Sequence, residues 1–199
     1  MIYRIIVVIS ALLFVGCASN PMVVATDQTI SVPPEGGSQV IFLRSSFLGS
    51  AINASLYDVT NGKTVFIGVI ANGTKLSYTT APGKHVFMVV SEAADFMEAN
   101  LRQGKNYYSI VTPRMGAWKA RFSLWPIKSD PDANYHHNMP EFEAWLSSTK
   151  LFHNSEKSRL WYEKNKNNIR EKQEKYWPAW QQKSDEDIAR RTLSPEDGI

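Results

Sequence analysis

Between Gln39 and Ile127, short runs rich in Val, Ile, Phe and Tyr recur about every ten to fifteen residues, each closed by a turn signal. Strands of that length place alternate side chains on opposite faces and need a second sheet to cover one of them, so the pattern predicts a β-sandwich. The expected strands are Val40–Arg44, Ala51–Asp58, Thr64–Ile70, Lys75–Thr79, His85–Ser91, Tyr107–Thr112 and Lys119–Trp125. Asn61-Gly62 and Asn72-Gly73 suit the positive φ of tight hairpins, and Pro82-Gly83 fits a type II turn. Asp95–Leu101 reads as a short helix or an extra strand. Of Tyr107-Tyr108, one ring is expected in the core and the other on the sheet surface.

The amino terminus reads differently. Met1-Ile-Tyr-Arg4 carries one basic side chain, and Ile5–Val15 is then uncharged with Ser10 as its one polar interruption. That run suits the apolar part of an export signal and is short for a bilayer span. It ends in Phe14-Val15-Gly16-Cys17, and Cys17 is the only cysteine in 199 residues, so no internal disulfide can form. This ending resembles the lipobox of bacterial lipoprotein precursors. The resemblance implies removal of residues 1–16 as a signal peptide and a lipid-modified Cys17 at the mature amino terminus. Its thiol would take a diacylglyceryl group, so Cys17 is an anchor and not a nucleophile. Several acyl chains hold durably where one holds only marginally. Ala18 stands where an inner-membrane retention signal would place Asp, which favours the outer membrane, facing the periplasm.

Residues 17–38 read as the lipidated terminus and a tether, closing on Val32-Pro-Pro-Glu-Gly-Gly-Ser38, poor in core residues and rich in chain breakers. Residues 39–127 form the sandwich and residues 128–199 a helical carboxyl-terminal extension. Within the extension, Pro140–Leu146 reads as a short helix with proline at its first position. Ser155–Trp177 reads as a longer helix ended by Pro178, and Lys183–Ile199 as a polar, frayed tail.

Arg44-Ser-Ser-Phe-Leu-Gly-Ser-Ala51, Pro82-Gly83-Lys84-His85 and Gly104-Lys105-Asn106-Tyr107-Tyr108 follow one another along the sandwich region. That order is similar to a family of uncharacterised bacterial lipoprotein domains. The resemblance implies a mainly β fold, an immunoglobulin-like or prealbumin-like sandwich, in the cell envelope. It implies no reaction.

Charge is uneven. The sandwich region holds nine Lys and Arg against four Asp and Glu, a balance of +5 within a chain of net +3. Such a domain suits anionic lipid or cell-wall polymer, or simply carries solvated charges. His136-His137 lie beside Asp130, Asp132, Glu141 and Glu143, but adjacent histidines point apart and the spacing of a metal site is missing, so no metal is assigned. His85, directly after a turn, is expected to hydrogen-bond a loop carbonyl and hold that turn shut. No G-x-S-x-G elbow or glycine-rich phosphate loop is present. Asp95/Glu98 and Glu141/Glu143 read as surface carboxylates, so a hydrolase is the least favoured reading.

In the extension, Trp145, Trp161, Trp177 and Trp180 fall among basic residues. Trp161, Arg170, Trp177 and Trp180 are the candidate partner surface, because Trp and Arg are enriched at interface hot spots. The same tryptophans would equally pack the helices onto the sandwich. The expectation is therefore a membrane-anchored, non-enzymatic binding or scaffolding module. It has no cofactor beyond the lipid on Cys17, an envelope protein or cell-wall polymer as partner, and no nucleic acid. A structural subunit of an envelope assembly is the alternative.

Overall fold

Val40-Ile-Phe-Leu43 is apolar at every position, and all four side chains are at 0% exposure. A strand turns alternate residues to opposite faces, so such a run needs cover on both sides. The computed structural model, which describes residues 20–114 and 121–199, supplies that cover. Residues 1–16, expected as a signal peptide, Cys17 and the first two residues of the strand expected at Lys119–Trp125 lie outside the described residues.

The elements run β1 (Val23–Val24), β2 (Ser38–Arg44), β3 (Ala54–Asp58), β4 (Val65–Ile70), β5 (Thr74–Thr80), β6 (Gly83–Val90), β7 (Ala94–Leu101), β8 (Asn106–Arg114), β9 (Arg121–Ile127), α1 (Pro140–Ser148), β10 (Lys150–His153), α2 (Glu156–Gln181), α3 (Asp185–Arg190) and β11 (Thr192–Leu193). The chain is mainly β, with two sheets packed as a sandwich and helices from its carboxyl-terminal part. One sheet has the order β1-β10-β5-β2-β8-β9 and the other β11-β7-β6-β3-β4. Val40 and Phe42 join Phe87, Val89 and Tyr107 between the sheets. Ile41 and Leu43 face the other way, onto Phe142 of α1. On the second sheet, Met88 and Val90 turn outward beneath α2. The molecule is thus four layers: α2, sheet, sheet, α1.

Asp95–Leu101, ambiguous in sequence, lies within strand β7, paired antiparallel with β6 from Ala94↔Val90 to Leu101↔Gly83. One ring of Tyr107-Tyr108 is expected on the sheet surface, but both are buried, because α1 covers the second face with Phe142 5.1 Å from the Tyr108 ring. Asn61 and Gly62 adopt φ of 55° and 73°, the left-handed geometry their sequence suits.

Three further sequence expectations are corrected. Residues 20–38 are not a free spacer: Val23 and Val24 pair antiparallel with His153 and Phe152, and Met22 is buried. Met22 fits because Gly68 leaves room; a β-carbon there would lie 2.7 Å from Met22 Cε. Pro178 does not end α2, which continues to Gln181. A proline so near the end forfeits one hydrogen bond, and burial of Trp180 against Phe96 holds the last turn in place. Finally, the expected frayed tail is ordered. Leu193 is fully buried, Thr192 and Leu193 pair parallel with Glu98 and Ala99, and Ile199 exchanges two 2.9 Å backbone bonds with Asn106. Buried Asp197 closes this segment by accepting from the backbone N–H of Ser129 at 2.9 Å and of Ser194 at 2.7 Å.

Candidate functional site

Helix α2 begins where Ser155 caps it: Ser158 N–H donates to Ser155 Oγ at 3.1 Å, and Ser155 N–H donates back to Ser158 Oγ at 2.9 Å. Its polar surface gives it little intrinsic reason to persist in water, so its stability comes from the aromatic seam against sheet two. Tyr162 stacks on Phe66 with centroids 4.9 Å apart, and Trp177 meets the edge of Phe96 at 5.0 Å. Lys172 Nζ donates to Ser91 O at 2.6 Å.

This seam takes up most of the surface expected to meet a partner. Trp180 is 3% exposed, and Trp161 and Trp177 are half-buried in the apolar cluster. Arg170 stays exposed. The tryptophans therefore pack the helix onto the sandwich, and an interface on this side must use what the helix leaves open beside it.

What it leaves open is a groove of about 270 Å³ between α2 and one end of the second sheet. Ala54, Val69, Val90 and Ile169 line it with apolar surface, while Asn165, Asn168 and Lys172 bring polar groups from the helix. Trp161 forms part of the wall. Amides together with the Lys172 ammonium and the Glu92 carboxylate above an apolar floor suit a ligand with both apolar and polar surface, such as a peptide segment or a sugar. No sequence motif announces this groove, because it joins Ala54 to Ile169 across more than half the chain.

At the opposite end of β3 lies a buried polar cluster. His85 Nδ1 is 3.0 Å from Asp58 Oδ2, and His85 Nε2 is 2.9 Å from the Ala81 carbonyl oxygen. The carbonyl contact is the one expected of His85. Thr60 Oγ1 donates to Asp58 Oδ1, and Tyr78 Oη donates to Asp58 Oδ2 at 3.2 Å. Burial alone would depress the His85 pKa, but the hydrogen bonds to Asp58 and to the Ala81 carbonyl outweigh it and hold it above its ordinary value. Burial would likewise raise Asp58, yet the bonds from His85 and Thr60 keep it below the usual carboxylate range. Tyr78 is pushed up to about 12 by burial and by the Asp58 charge. Both ring nitrogens of His85 face acceptors, so the protonated ring donates twice and has no lone pair for a nucleophile. The cluster is a clasp joining β3, the following turn and the start of β6.

Two arginines sit inside the protein. Arg44 donates to Ile70 O at 3.0 Å and Gly49 O at 2.7 Å, with its guanidinium 4.2 Å over the Phe122 ring; burial pulls its pKa down to about 10. Arg191 donates to Asp95 at 2.6 Å and lies 4.4 Å over Trp125. His137 packs on Phe142 at 5.3 Å, and burial lowers its pKa. Among the described residues no three His, Cys, Asp or Glu side chains converge as metal ligands. Nor is any described helix long and apolar enough to cross a membrane. No family model matches the chain, and no curated protein does.

Proposed function

We propose that this chain is a lipid-anchored protein of the cell envelope, held at the membrane through Cys17. Its sandwich and helical layer serve there as a non-enzymatic binding module for another envelope component, a protein or a cell-wall polymer. The export signal ending in Gly16-Cys17 supports the anchor. The groove beside α2, with an apolar floor and a polar rim, is the observation that carries the binding reading. His85, with both ring nitrogens engaged, argues against its pair with Asp58 serving as a general base.

The anchor reading has a geometric corollary. Met22 is buried and β1 is paired, so only Ala18 and Ser19 separate Cys17 from Asn20, where the described chain begins. Three residue steps reach at most roughly 11 Å. A lipidated Cys17 would therefore hold the body against the bilayer, with exposed Val23 and Val24 near the headgroups. A fluorophore at Val24 should be quenched by headgroup-borne quencher in reconstituted bilayers; no quenching there removes the corollary.

The binding reading is tested by a photo-crosslinking residue at Asn168 in intact cells, with Glu163 on the same helix as the control position. One dominant adduct from position 168, absent from 163, supports the groove as the binding site. No adduct, or the same adducts from both positions, overturns it.

A further inference from the structure

The carboxyl-terminal end of α2 borders a second cleft, of about 230 Å³ and different chemistry. Arg114 and Arg121 stand directly opposite each other across the antiparallel pair of β8 and β9, and both line it. Like charges in that position destabilise a strand pair. Lys183, just past α2, brings a third cation to the same space. Asp95 is the one carboxylate among the described residues that line it, and it is already engaged by Arg191 at 2.6 Å. Arg114 Nη1 is 4.0 Å from the other oxygen of Asp95, so that single acid faces more positive charge than it can balance. Three cations around one carboxylate that is already engaged leave a surplus of positive charge, which an anion supplied from outside the chain would balance.

We infer that this cleft binds a phosphate group. Two guanidinium groups and an ammonium offer more donors than the two oxygens of a carboxylate can accept, whereas a phosphate presents three or four oxygens in different directions. Arginine forks match phosphate edge to edge, and lysine adds a point charge. Phe96, Tyr176 and Trp180 wall the cleft and reduce the solvent screening of those charges. The site is separate from the groove beside Asn168 and stands whether or not that groove binds a partner.

The full chain, reconstituted in phosphatidylcholine bilayers, is titrated with inorganic phosphate and with glycerol phosphate at constant ionic strength, following tryptophan fluorescence and thermal stability. Saturable binding is expected, weakened about tenfold or more in Arg121→Gln and in Lys183→Gln. If Arg121→Gln fails to fold, Lys183→Gln and Arg114→Gln carry the comparison. Bilayers containing phosphatidic acid, whose phosphate is a monoester like that of glycerol phosphate, distinguish the source. Occupancy of the cleft before any soluble phosphate is added assigns a lipid headgroup, and occupancy only on titration assigns a soluble phosphate. Absence of saturable binding in both bilayers, or binding that these variants leave unchanged, overturns the site.

Discussion

Arg191 donates to Asp95 at 2.6 Å and to the Phe96 carbonyl oxygen at 2.9 Å, joining the end of α3 to a strand about a hundred positions earlier. The pair is buried on both sides, and Trp125 and Trp180 lie against the guanidinium at 4.4 and 5.6 Å. Arg191→Met should therefore leave Asp95 with only the longer 4.0 Å contact to Arg114 in place of its buried partner and destabilise the protein by roughly 3 kcal/mol. Urea unfolding measures this. The double variant with Asp95→Asn should recover part of the loss, and a single variant as stable as the parent would contradict the role given to the pair.

Removing residues 128–199 should unfold the sandwich. β10, which joins β1 to β5, and the edge strand β11 come from that segment, and α2 covers Tyr57, Met88 and Phe96, each essentially buried. Uncovering a large apolar side chain costs about 1.5–3 kcal/mol, and several would be uncovered together, more than a domain of ordinary stability withstands. Circular dichroism of the truncated chain checks it; a cooperative, native-like melt would show the sandwich to be self-sufficient.

These two relationships also show what the sequence could reveal. The turn at Asn61-Gly62 and the bond from His85 to a loop carbonyl were legible, because each depends on residues close along the chain. Val40–Leu43 was legible as a strand, but the burial of both its faces depends on the helix that covers the outer one. Arg191 gave no local signal: it sits in a polar stretch and acquires its meaning from Asp95, Trp125 and Trp180. The groove beside Asn168 was hidden for the same reason, since its floor belongs to strands and its rim to a distant helix. Trp180 misled because a tryptophan among charges reads alike whether it meets a partner or its own sheet.

Gly68→Ala should loosen the amino-terminal strand. The added carbon would lie 2.7 Å from Met22 Cε and 2.8 Å from Leu76 Cδ1, so at least one side chain must move. The expected cost is about 1–3 kcal/mol. Hydrogen exchange at Val23 and Val24 should quicken, and Met22→Ala in the same chain should relieve part of the strain. Unchanged exchange would mean that Met22 gives way without disturbing β1.

Stability should depend on pH through the clasp at His85. Its folded pKa lies above the ordinary 6.5, so its contribution is fully present below 6.5 and is lost as pH rises through the folded value. Asp58, held below 3.8, contributes above 3.8 and loses that contribution as pH falls through its folded value. The clasp is therefore strongest between about pH 4 and 6.5. Denaturant midpoints should fall as pH rises above 6.5 in the parent and fall less in His85→Asn. Equal slopes for the two proteins would assign the pH dependence to another group.

The proposed place of this protein in the cell rests on one sulfur atom, and intact-mass spectrometry of protein extracted from bacterial membranes reads it directly. The account predicts a chain that begins at Cys17, with the mass of residues 17–199 plus a diacylglyceryl group and, where the amine is acylated, one further acyl chain. A chain that still carries Met1 and a free thiol would contradict it.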